Sequence, residues 1–76
     1  MKAFYYEIEP YHIQASGMQL TVVPMEDGVY RVYHHEKVLA DLLPEITAAG
    51  IYWNGFGQIS LRFAEEIGQQ IYACEI

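Results

Sequence analysis

The stretch from Ser60 to Glu75, S-L-R-F-A-E-E-I-G-Q-Q-I-Y-A-C-E, limits the possible folds more than any other part of the chain. Phe63, Ala64, Ile67, Gly68 and Ile71 recur at steps of three and four, the spacing of one helical face. Leu61 and Tyr72 lie at one margin of that face and Cys74 at the other, while Arg62, Glu65, Glu66, Gln69 and Gln70 take the opposite side. An apolar arc covering about half the circumference suits a helix lying on a sheet rather than a narrow coiled-coil seam. The pattern predicts a helix over about 60–74. Ser60 stands where its hydroxyl can accept a bond from a free amide of the first turn. A glycine inside a helix costs roughly 1 kcal/mol against alanine, so Gly68 reads as a point of close approach.

The partner layer is read from period-two alternation. Strands are expected at about 3–9, 18–23, 29–34, 38–43 and 51–53. In the first, Phe4, Tyr6 and Ile8 alternate with Tyr5, Glu7 and Glu9, and Pro10 ends it. Residues 11–17 read as a connector, with Ser16-Gly17 as its turn. Glu26-Asp27-Gly28 predicts a tight hairpin between the second and third strands, because Gly28 can take a positive φ. The run V-L-A-D-L-L at 38–43 is favoured as a strand stopped by Pro44. A helix using Leu39, Leu42, Leu43 and Ile46 is the alternative, but it would carry Pro44 in its interior. Residues 45–50 read as loop or a single helical turn, and Asn54-Gly55-Phe56-Gly57 as a flexible turn into the helix. The expected fold is α+β, an antiparallel sheet of four to five strands with one C-terminal helix packed across one face, in a single domain over 1–76. The other face would carry Tyr5, Glu7, Glu9, Thr21, Val23, Arg31 and Tyr33.

Charge narrows the partners. Ten acids against Lys2, Arg31, Lys37 and Arg62 give a formal net charge of -6. Phosphate backbones would repel such a chain, so direct nucleic-acid binding is not expected. No apolar run approaches the length of about 18 residues that a membrane helix needs, and no leader pattern is visible, so the expected location is cytoplasmic. A single cysteine excludes an internal disulfide and a four-cysteine zinc site.

Chemistry-bearing clusters are sparse. His34, His35 and Glu36 are adjacent, and His12 could approach them, which makes the three histidines weak candidates for a metal. Neighbouring strand residues point to opposite faces, however, and the preferred reading is solvated histidines at a hairpin tip. Glu65-Glu66 and Glu26-Asp27 are exposed pairs, without the burial that separates the pKa values of a catalytic dyad. Cys74 sits at the negative end of the helix, which disfavours a thiolate, and reads as a core or half-buried thiol. Gly55 and Gly57 lack the third glycine of a dinucleotide-binding fingerprint. The chain therefore reads as a non-enzymatic module with no cofactor.

Seven tyrosines point instead to recognition of a protein partner, through a sheet face or a strand edge. Tyr5, Tyr11, Tyr33 and Phe56 are the candidate contact residues, and a homodimer is a further expectation. Two rival readings remain. One is an acidic decoy of nucleic acid that inhibits a basic protein, and the other is a histidine-based metal- or ligand-binding subunit.

Overall fold

A computed structural model describes residues 9–57 and 59–75. Its elements run β1 (Tyr11–Ala15), β2 (Met18–Pro24), β3 (Tyr30–His34), β4 (Lys37–Thr47), β5 (Gly50–Gly57) and α1 (Leu61–Glu75). The five strands form one antiparallel meander in sequence order, and the helix covers one face, giving the α+β class expected. The expected strand over 3–9 lies outside the described residues except for Glu9, which with Pro10 precedes β1.

Ridge and register agree in building the core. Ile13, Ala15, Leu20, Val22, Val32, Ala40, Leu42 and Trp53 point to the helix, where Ala64, Ile67 and Ile71 meet them. Register aligns Ile13 with Leu20, Val22 with Val32, and Val32 with Ala40, so the inward residues form continuous rows. The helix packs against the two outermost strands, β1 and β5, as well as against β4. Five strands at about 4.8 Å spacing are wider than one helix, yet α1 meets both edge strands, so the sheet curls around it and leaves an outer, convex face.

Four sequence expectations are corrected. Residues 11–15 are β1 and not a connector. Its inward residues alternate with His12 and Gln14, and Ser16 (φ 50) and Gly17 (φ 78) make the two-residue turn that carries the chain into β2. Pro44 does not stop β4, which continues to Thr47. The β3–β4 ladder ends at Tyr30 opposite Leu42, so among the described residues Pro44 has a strand on one side only, and its missing N–H faces the other side. Residues 45–50 accordingly hold strand and a tight turn at Ala48–Ala49, not loop.

The fourth correction concerns Asn54–Gly57, which continues β5 in register with Leu43, Leu42, Asp41 and Ala40 instead of turning. Gly55 is there for space. A Cβ on it would stand 3.1 Å from both Ala64 Cβ and Leu42 Cδ2. Gly68 has the same role on the helix, where an added Cβ would fall inside the Trp53 indole. Trp53 also makes an edge-on contact with Tyr30, their ring centroids 6.0 Å apart.

Candidate interaction surface

The outer face is built by the residues that alternate with the core. One row crosses four strands as Val23, Arg31, Asp41 and Phe56, and the next runs His12, Thr21, Tyr33 and Val38. Arg31 and Asp41 form a two-pronged ion pair, Nε donating to Oδ1 at 2.9 Å and the second guanidinium nitrogen to Oδ2 at 3.1 Å. These bonds hold the Asp41 carboxyl below its ordinary pKa, against a smaller opposing effect of burial. The same bonds to Asp41 push the Arg31 guanidinium up. The centre of the outer face is therefore electrically balanced although the chain as a whole is acidic. Around the pair stand apolar side chains that the fold does not cover, Phe56 (60 % exposed) and Val38 (53 %).

The exposed apolar residues are not evenly spread. Val38, Ile46, Ile51, Tyr52 and Phe56 all belong to β4 and β5, with Leu61 and Tyr72 on the helix. Residues 43–47 of β4 extend beyond the end of β3 and, among the described residues, pair with β5 alone, so the hairpin projects there as a two-stranded ribbon. Ile46 and Ile51 face each other near its tip. Asn54 donates to Glu45 Oε1 across the ribbon at 3.0 Å.

Tyr33 is half-buried on the outer face, as expected, and Phe56 is exposed there. Tyr5 lies outside the described residues. Tyr11 is on the opposite side: it packs against the core, and its hydroxyl donates to Glu75 Oε2 at 2.8 Å. Burial, then this bond, raises its pKa far above the ordinary range. It cannot share a contact row with Tyr33, because the odd-numbered residues of β1 face inward.

The three histidines separate. His34 and His35 lie against each other at the β3–β4 turn, ring centroids 4.3 Å apart, with His35 at φ 62. His12 is on β1 and lines a different hollow with Gln14, Gln19, Gln70 and Cys74. Among the described residues, no group of three or more His, Cys, Asp or Glu side chains is arranged to hold a metal ion. Cys74 is exposed and not half-buried, since the helix's inward stripe ends at Ile71 and its last turn runs past the core. Sequence spacing gave no sign that β1 and the end of the helix line one hollow, because 62 positions separate His12 from Cys74.

Glu66, expected to be a free surface acid, ties the helix to the first hairpin. The Ser16 amide and hydroxyl each donate to its carboxylate at 2.7 Å, which lowers its pKa. Among the described residues no helix is long and apolar enough to cross a membrane. No protein-family model, curated protein or solved structure matches the chain.

Proposed function

We propose that the protein is a non-enzymatic recognition module that binds a protein partner through the outer face of its sheet. The observation that carries this reading is the exposure of Phe56 and Val38 on the outer face beside a charge-balanced Arg31–Asp41 pair. Solvated sheet faces are ordinarily lined by polar residues, whereas the centres of protein interfaces favour aromatics and are depleted of unpaired charge. Tyr33 supplies ring area at low entropic cost, and Val38, its register partner, extends the apolar strip.

The test is affinity capture from the native host with the wild-type chain and with the double substitution Tyr33→Ser, Val38→Ser. Both side chains are partly or largely exposed, so the double variant is expected to fold as the wild type does and to lose the partner by at least tenfold. Undiminished recovery by a folded double variant would remove the outer face from consideration.

A further inference from the structure

The β5 strand is the last in the sheet and, among the described residues, bonds to β4 alone. Exposed edges are ordinarily guarded by a lysine, a proline, a bulge or an inward-pointing charge. The sequence of β5, G-I-Y-W-N-G-F-G, contains no charged residue and no proline. We propose that this edge pairs antiparallel with β5 of a second copy about a two-fold axis at Asn54, joining two sheets into one. This pairing would use Tyr52 and Phe56 at the β5 margin of the outer face, whereas the partner reading is tested at Tyr33 and Val38 on β3 and β4.

Charge selects the second copy over other occupants. A two-fold axis sets a patch against itself, so like charges within the patch would be opposed. On a chain of net charge -6, an eight-residue strand free of charge can meet its own image without that penalty. A basic partner would find nothing on the strand to neutralise. The nearest acid bonded to the strand is Glu45, one strand further in. Three strand spacings across and four residues along, the two Glu45 positions would be about 20 Å apart, beyond about one Debye length at physiological salt.

Register then fixes the pairing. Thr47 and Gly50 flank a two-residue turn and so form a hydrogen-bonded pair. By alternation, the backbone groups of Tyr52, Asn54 and Phe56 point to β4, and those of Ile51, Trp53 and Gly55 point to the open edge. Pro44 opposite Trp53 fits this, because a proline can oppose a residue whose N–H points elsewhere. Bonding Trp53 to Gly55 of the second copy places Asn54 on the axis and sets Tyr52 opposite Phe56 of the second copy, twice over. Both residues are large and exposed (41 % and 60 %), and non-hydrogen-bonded pairs bring side chains closest. Trp53 would also lie beside a glycine of the second copy, an arrangement in which a ring covers the bare backbone.

Sedimentation equilibrium on the full chain should give twice the chain mass at micromolar concentration. Tyr52→Lys with Phe56→Lys should return it to the chain mass with an unchanged circular dichroism spectrum. In a Cys74→Ser background, Asn54→Cys should crosslink efficiently between copies on mild oxidation, since it faces itself, whereas Ile51→Cys should not. A wild-type monomer, a dimer indifferent to the paired lysines, a dimer lost only on removing residues 1–8, or crosslinking at 51 instead of 54 would each overturn the proposal. Such a failure leaves the outer-face reading standing, because Tyr33 and Val38 are not on this edge.

Discussion

Gly68 shows how much a single missing side chain decides. The indole of Trp53 lies where a Cβ would stand, so the helix can rest on β5 only at a glycine. Gly68→Ala should lower stability by about 1–3 kcal/mol despite the better helix propensity of alanine, read as a reduced urea midpoint. Tyr11 makes a second argument at this scale. Its pKa is raised from an ordinary 10.0, so its contribution is complete below about pH 10 and is lost as pH rises beyond it. Wild-type stability should therefore fall more steeply between about pH 9 and about pH 11 than that of Tyr11→Phe, which has no hydroxyl to ionise. Equal slopes in urea titrations would show the hydroxyl to be unimportant. The sequence revealed Gly68 as a contact because a helical glycine needs a reason. It did not reveal Tyr11's inward aspect, since its partners Glu75 and the core lie on elements remote in the chain.

At the scale of elements, α1 and β4 behave oppositely. The helix was legible because fifteen residues give the 3.6 period several repeats, and its start has a chemical mark. Ser60 Oγ accepts the Phe63 N–H at 3.1 Å. The first turn holds no acid and the last no base, so this cap has no help from charges at the helix ends. Ser60→Ala should cost about 1 kcal/mol, measurable through Trp53 fluorescence in a denaturant series. The later strands were harder to bound. Proline and the glycines of N-G-F-G are turn-formers locally, yet here they are held in strand by position. Pro44 lies past the end of β3, and Gly55 lies under Ala64. Both reasons are tertiary, and no window of sequence contains them. Residues 11–15 failed for a related cause, because Ala15 is too small and His12 too ambiguous to mark alternation.

Across the whole molecule, two carboxylates with lowered pKa values join separate elements: Asp41 joins β4 to β3, and Glu66 joins α1 to the β1–β2 turn. Both have pKa values below the ordinary carboxylate range, so their contributions are present above it and disappear as pH falls through the lowered values. Asp41→Asn with Glu66→Gln should flatten the acid limb of the stability–pH profile below about pH 4 while leaving its neutral region comparatively level. The outer face was partly legible, since alternation placed Thr21, Val23, Arg31 and Tyr33 together. The ion pair with Asp41 and the ribbon were not, because both depend on how far β4 runs. The clasp between Ser16 and Glu66 spans fifty positions. Each hairpin can close as soon as its own residues are present, but a curled sheet with nothing inside it has no reason to keep its curl. Assembly must therefore wait for the last element to reach back to the first, and a chain shortened before Ile71 should hold local turns yet never lock.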